Sequence, residues 1–321
     1  MPSALVALVL LFQQTPPKPA FQGDFFGEMG RAFCVIQKVD VDAKTVTAKL
    51  DRDGKIVTVP IKDDTELHVR DSWGELTDYY PGQHVMLFMY VDDDKKWTYP
   101  RAIQDDIHMR ARHGHFAKVV KIDRDAKTYA TQREEKDNKG TVTKTVDDAY
   151  AAAAEVKVWK GAAAAGFEAL KEGDEVITQL IEREGKVVAW EILDKAGDDA
   201  VRAAQDERHR KDQDEQGLSS YVTDVEVLSG SLQATVAWSA SERAKKDLKV
   251  GATVTILPEG GKAFAGAVCS LQGVDSRQRV QFVVNARVAA RLAPGQSLRI
   301  FLPGTGPAVP EGRAGIPVPK K

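Results

Sequence analysis

The sequence predicts a mainly β protein of three small antiparallel β-barrel or OB-like modules, the first two a tandem duplication, with a short polar helical spacer before the third. Three observations carry this. Apolar and polar residues alternate with period two from residue 33 onward, as in Val46-Thr47-Ala48-Lys49-Leu50 and Ile56-Val57-Thr58-Val59, and Asp, Gly or Lys turn residues bound each run. The string Val39-Asp40-Val41-Asp42-Ala43-Lys44-Thr45 recurs as Ile122-Asp123-Arg124-Asp125-Ala126-Lys127-Thr128, and matched positions further along keep the same order, which marks a repeat. A chain of 321 residues with Lys+Arg 45 against Asp+Glu 47 has room for two or three modules and carries no global field toward nucleic acid or an anionic membrane.

The N-terminal segment 1–22 reads as a signal peptide and Pro-rich linker. Ala4 to Phe12 is an unbroken apolar run, the length of a signal-peptide core and too short for a membrane span. A buried first strand is the alternative reading. Thr15-Pro16-Pro17-Lys18-Pro19 suits an extended linker.

Residues 31–112 form the first β module and 113–194 the second. In the repeated string the Asp residues bond their own backbone through a hairpin turn and Thr opens the next strand. Glu66-Leu67-His68-Val69 matches Glu155-Val156-Lys157-Val158, and Leu76 to Val85 matches Phe167 to Val176. The second copy carries insertions at Lys136 to Gly140, a hairpin tip, and at the Ala-rich stretch from Ala162 to Leu170, which reads as a short helix. Each copy has the size of a small closed or half-closed barrel.

Residues 195–216 switch to helical composition with Val201 as the sole large aliphatic, which predicts a solvated spacer. The third module, 217–303, returns to β alternation, and its Lys and Arg outnumber Asp and Glu ten to six. The tail 304–321 is rich in Pro and Gly. Cys34 and Cys269 are the two cysteines; they lie in different modules and are predicted to be separate buried thiols.

Within the third module, Asp247-Leu248-Lys249-Val250-Gly251-Ala252-Thr253-Val254 is followed by Phe264-Ala265-Gly266-Ala267-Val268, by Val274 to Val280, and by Arg291-Leu292-Ala293-Pro294-Gly295. This order resembles the β-barrel domain of bacterial periplasmic adaptor (membrane-fusion) proteins of efflux pumps and haemolysin-type exporters. The family's long α-hairpin and lipoyl-type halves have no counterpart in the chain. The first two modules resemble small β-barrel repeats of exported bacterial proteins of unassigned function. The resemblances imply an exported protein of the periplasm or cell envelope with an envelope protein as partner. The basic residues Arg277, Arg279, Arg287 and Arg291 are the expected partner-binding surface.

No phosphate-loop, dinucleotide, zinc-protease, Cys-x-x-Cys or nucleophile-elbow signature occurs, and no cofactor is expected. The one cluster with ligand chemistry is Asp105 to His115, where His113 and His115 would share a strand face and His108 or Asp105 would complete a metal set. A solvated polar linker is the competing reading. The aromatics Trp73, Tyr79, Tyr80, Trp97 and Tyr99 would line a glycan or peptide groove, or pack as core. The expected function is a non-catalytic envelope scaffold or adaptor making protein contacts through its β modules. The alternative is a periplasmic binding protein for a metal ion or a glycan or peptide, and an enzyme of unassigned type ranks third. No nucleic acid and no integral span after signal removal are expected.

Overall fold

The computed structural model describes residues 30–309, apart from 95, 184, 185 and 276 and the side chain of His113. The predicted signal segment and the end of the Pro/Gly tail lie outside the described residues. The fold is mainly β, with three strand systems.

The second copy shows the repeat in its complete form. Its strands are β8 (Ala117–Asp123), β9 (Thr128–Lys136), β10 (Val142–Lys160), β11 (Ala163–Ala165), β12 (Glu175–Arg183) and β13 (Lys186–Asp194). They run β11-β10-β13-β12-β8-β9, and β9 also pairs with β10. That second pairing closes a ring of five strands. Counted within the copy, the order is 1-2-3-5-4-1, a five-stranded Greek-key barrel of the OB type.

The first copy has β1 (Gly30–Asp40), β2 (Thr45–Leu50), β3 (Ile56–Pro60), β4 (Glu66–Val69), β5 (Ser72–Trp73), β6 (His84–Val91) and β7 (Trp97–Asp105), in the order β3-β2-β1-β6-β7-β4-β5. The path is the same, with the third strand broken: β3 stays on β2, and β4 crosses to β7. Every pairing is antiparallel except one in each copy, β4 with β7 and β10 with β13.

The duplicated string is a turn in both copies. Asp40 Oδ1 accepts from Ala43 N at 3.0 Å and Asp123 Oδ1 from Ala126 N at 2.9 Å, while Lys44 and Lys127 both sit at φ 48. The side-chain bond holds the turn in a left-handed step that Lys rarely takes. Alternation then sends Val46, Ala48 and Leu50 inward beside Cys34, Ile36, Leu87 and Ile103. Val119, Tyr129, Val158 and Ile192 form the equivalent core of the second copy.

The third system is a closed, wholly antiparallel barrel of β14 (Leu218–Glu226), β15 (Ser231–Val236), β16 (Thr253–Pro258), β17 (Phe264–Val274), β18 (Arg277–Val283) and β19 (Ser297–Phe301), ordered β14-β15-β18-β17-β16-β19. Leu232, Ile256, Phe282 and Ile300 fill it. A Cβ at Gly266 would lie 2.6 Å from Ile256 Cδ1, so a side chain there would force the buried Ile256 to move.

Four sequence expectations are corrected. Residues 106–113 are not strand or linker but helix α1 (Asp106–His113). Ala162 to Leu170 is not an α-helix: it holds β11 and a single 3₁₀ turn, Phe167–Ala169. Cys269 is exposed while Cys34 is buried, both as free thiols, because a bulge between Val268 and Ser270 breaks the alternation of β17. Finally, α2 (Lys195–Gln216) is a helix as expected, but Gly197, Asp198, Gln205 and Gln213 on it are buried, so it is a packed element and not a solvated spacer.

The two helices are one feature of the repeat. Each leaves the last strand of its copy directly and is capped by an Asp: Asp105 accepts from His108 N at 2.7 Å, and Asp194 from Gly197 N at 2.6 Å. The second is extended, and its added turns reach the third barrel. Asp206 meets Arg70 Nη1 at 3.3 Å, His209 contacts Asp78, His209 Nε2 and Gln213 Nε2 donate to Ser239 O at 2.9 and 3.0 Å, and Arg243 Nη2 donates to Asp214 at 2.7 Å. Glu75 joins the first copy to the third barrel directly, accepting from Ser239 Oγ and Arg299 Nη1, each at 3.1 Å. No helix among the described residues is long and apolar enough to cross a membrane.

Candidate functional site: a cleft between the two copies

The chain turns at Gly82, φ 87, and delivers His84 as the first residue of β6. Its ring is buried between two carboxylates, with Nδ1 at 2.7 Å from Asp106 Oδ1 and Nε2 at 2.7 Å from Asp51 Oδ2. Burial alone would push the imidazole pKa down, but Asp106 and Asp51 overcome it and raise it to about 10. His84 is therefore an imidazolium at neutral pH and donates through both nitrogens. The ring stacks on Phe33 at 5.9 Å and faces Trp190 of the second copy at 6.1 Å. Arg183, also from the second copy, reaches back to Asp51 Oδ1 at 2.9 Å.

The neighbouring ion pairs draw α1 and α2 together. Arg110 is 2% exposed; its Nε donates to Asp198 Oδ1 at 3.0 Å and its Nη1 lies 3.7 Å from Glu191 Oε2. Burial, the Asp106 charge adding to it, raises the Glu191 carboxyl pKa despite Arg110. Trp159 Nε1 donates to Glu191 Oε1 at 3.2 Å. Asp105, the cap of α1, is buried and accepts from Gln205 Nε2 at 2.5 Å; burial lifts its pKa to about 6 against these hydrogen bonds.

Between these groups opens a cavity of about 520 Å³ whose walls come from β1, β6, β7 and α1 of the first copy, β10 and β13 of the second, and α2. Tyr80, Trp159 and Trp190 supply rings. Lys157 lies over Trp190 at 5.4 Å and Arg208 over Tyr80 at 3.7 Å. Four buried polar atoms of the lining residues have no hydrogen-bond partner among the described residues: Gln83 Nε2, Gln205 Oε1 and both Nη atoms of Arg110. Buried polar groups of this kind are ordinarily satisfied; these atoms lie behind the cleft surface, each with under 1 Å² exposed.

The predicted site residues fall elsewhere or apart. His108 is buried on α1 and stacks on His68 at 4.6 Å; His115 is exposed beyond the helix end; the His113 side chain is outside the description. The shared strand face imagined for them does not exist, since the segment is helical, and no group of three or more His, Cys, Asp or Glu among the described residues is arranged to hold a metal ion. Arg277 lies over Trp238 at 5.2 Å and donates to Tyr221 Oη at 3.2 Å. It and Arg279 stand at the start of β18, whereas Arg287 and Arg291 follow its end, so the four split between the two ends of that strand. Of the five aromatics singled out in the first copy, Tyr80 alone lines the cleft. Trp73 stacks on His68 at 4.6 Å, Trp97 lies under Arg52 at 5.0 Å, Tyr79 is core, and Tyr99 packs on Tyr90.

The raised pKa of Asp105 has a definite sign. The native state holds that proton more tightly than the unfolded chain, so this group makes stability rise as pH falls from about 6 toward 4. Asp105→Asn keeps a good N-cap and removes the buried charge. It is expected to stabilise the protein by about 1–2 kcal/mol at pH 8 and to flatten the stability profile between pH 4 and 6, read by urea denaturation. A destabilisation at pH 8 would show that the charge itself is needed.

No protein-family profile matches the chain, and no curated protein matches it significantly.

Proposed function

We propose that the protein is a non-catalytic binding scaffold of the bacterial cell envelope, with the cleft between the two copies as its ligand site. The observation that carries this is a cavity of about 520 Å³ between the two copies, lined by Tyr80, Trp159 and Trp190 and by charged side chains of both signs, a size within the ~300–1,000 Å³ range of small-molecule sites. The cleft's carboxylates are already committed: Asp106 to His84, Asp105 to Gln205 and the α1 backbone, Glu191 to Trp159. A group so engaged binds and orients; it is poorly placed to take a proton from a substrate. Export is supported by the apolar run Ala4 to Phe12 and by the order of turn and strand motifs in the third barrel.

A thermal-shift screen over metabolite classes tests the reading. A ligand at 100 times its Kd stabilises by about 2.7 kcal/mol, several degrees in a chain of this size. Trp159→Ala is expected to abolish the shift. Stabilisation equal in wild type and Trp159→Ala would move the site out of the cleft, and the absence of any saturable shift would overturn the binding reading.

The adaptor reading rests on the third barrel. There Phe264, Val288 and Leu292 line a hollow of about 250 Å³ with Lys262 and Arg291 among its walls, suited to an apolar side chain from a partner segment carrying acidic residues. Pull-down from the envelope fraction is expected to recover a partner with wild type and lose it with Arg291→Glu; equal recovery would exclude this hollow.

A further inference from the structure

We infer that the hollow of the third barrel is filled by a second copy of this chain, each copy inserting Leu228 into the hollow of the other. The inference rests on the reading of that hollow as a partner site and names the partner.

Strand pairing puts knob and hollow on one end of the barrel. Glu226 pairs with Ser231 across the β14–β15 hairpin, and Ser231 pairs with Val283, the last residue of β18. The chain then runs on through Val288 and Leu292 of the hollow. Ala267 of β17 also stands opposite Val283, which brings Phe264, the first residue of that strand, to the same end. The other end of β15 leads into helix α3 (Trp238–Asp247), whose Ser239 and Arg243 are tied to Glu75 and Asp214. Hairpin tip and hollow therefore sit on the barrel end away from the two copies of the repeat.

The tip is a fixed projection. Leu228 is 97% exposed, the most of any large apolar side chain among the described residues, and Val227 beside it is 42% exposed. Ser229 Oγ donates to Glu226 Oε2 at 2.8 Å, Gly230 N to Val227 O at 3.3 Å and Val284 N to Gly230 O at 2.8 Å, so its shape is set before a partner arrives. One exposed leucine is ordinary on a protein surface. What gives this one a seat is the hollow on the same face, about 250 Å³ over buried Pro258 and Phe264 with half-buried Val288 and Leu292, room for an aliphatic side chain.

Charge matches the two in the same sense. Asp224 and Glu226 are exposed on the strand that leads to Leu228, whereas Lys262 and Arg291 are exposed among the walls of the hollow. None of these four is ion-paired to another described residue. Arg287 and Glu259, also exposed on the loops around the hollow, leave its side basic. An acidic knob and a basic hollow on one face are complementary to a copy of themselves across a two-fold axis, where each copy gives what the other accepts. Such a contact closes as a dimer and does not propagate into a chain. Loops at one barrel end make a small interface, which predicts dissociation in the micromolar range.

Sedimentation equilibrium of the purified full-length chain, from low micromolar to several hundred micromolar, is expected to show a monomer–dimer equilibrium that added salt weakens. Leu228→Asp and Arg291→Glu are each expected to raise the dissociation constant at least tenfold; both side chains are exposed, and an unchanged circular dichroism spectrum shows that the variants fold. Val250→Asp, at a residue 63% exposed before the start of β16 and so at the opposite barrel end, is expected to leave the dimer intact. A dimer that Leu228→Asp does not weaken has its interface elsewhere and overturns the inference. A monomer at every concentration also overturns it: the hollow then belongs to a different protein if one is recovered by wild type and lost with Arg291→Glu, and the adaptor reading falls as well if none is.

Discussion

Arg110→Met is expected to lower the stability of the chain by about 3–5 kcal/mol, the cost of removing one partner from a buried charge cluster. The guanidinium is all but inaccessible and stands between two carboxylates of the second copy and its helix, Asp198 at 3.0 Å and Glu191 at 3.7 Å. Taking it away leaves Glu191 with only the field of Lys157 and leaves Asp198 to Arg202 alone, at 2.7 Å. Isosteric loss of the stem is small with Met, so the measured change reports the charge. Urea denaturation monitored by circular dichroism is the readout. Arg202→Met, at a side chain 30% exposed, is expected to cost about 1 kcal/mol or less. Glu191→Gln placed on Arg110→Met removes the stranded charge and is expected to recover part of the loss. A single-variant effect below 1 kcal/mol would show that the two copies do not depend on this tie.

The second large effect is on pH dependence. His84 carries a native pKa of about 10 against about 6.5 in the unfolded chain. Between those values the folded state holds the proton and the unfolded state has released it, so stability falls as pH rises. The contribution is fully present below pH 6.5 and gone above about 10; at neutral pH it is on the order of 4 kcal/mol. Stability measured at pH 6, 8 and 10 is expected to decline steadily in wild type. In His84→Leu it is expected to be low at pH 6 and to decline less, since Asp106 then loses its cation and Asp51 keeps only Arg183. The difference between the two curves isolates His84 from the lysines and tyrosines that also titrate near pH 10. Parallel curves would mean that the imidazole is neutral in the native state.

Much of the architecture was legible because it rests on local chemistry. The Asp-x-Asp-Ala-Lys-Thr turn carries its own hydrogen bond from Asp40 and Asp123, and the alternation of Val46, Ala48 and Leu50 fixes which face is core. The break in the third strand of the first copy was not legible, because β4 gains its partner, β7, from far along the chain. The α1 segment was misread as strand: with Asp105 buried as its cap and Met109 and Arg110 both inward, its polar residues are interior and give no amphipathic stripe. The role of α2 was hidden by the same effect. A search for apolar residues at helical spacing finds Val201 alone, whereas the buried stripe is Asp198, Gln205 and Gln213 with His209 between, polar throughout and held largely by groups of other elements: Arg110, Asp105, Asp78 and the Ser239 carbonyl. The cleft escaped for a related reason. Trp159 and Trp190 sit in ordinary strand alternation, and Gln83, Arg110 and Gln205 carry no spacing signature.

The length of α2 fixes an angle as well as a distance. Its 22 residues span about 33 Å at ~1.5 Å per residue, and each residue turns the axis by about 100°. One end is pinned by Arg110 at Asp198, the other by Arg243 at Asp214, so the third barrel's azimuth about that axis follows from the residue count between them. An inserted residue would swing the barrel through about 100° while moving it only about 1.5 Å. An added turn would advance it by about 5 Å and return it close to its original bearing. The helix sets rise and bearing together, and the ties from Glu75 to Ser239 and Arg299 hold the third barrel at that one setting, so neither a single step nor an added turn keeps both contacts.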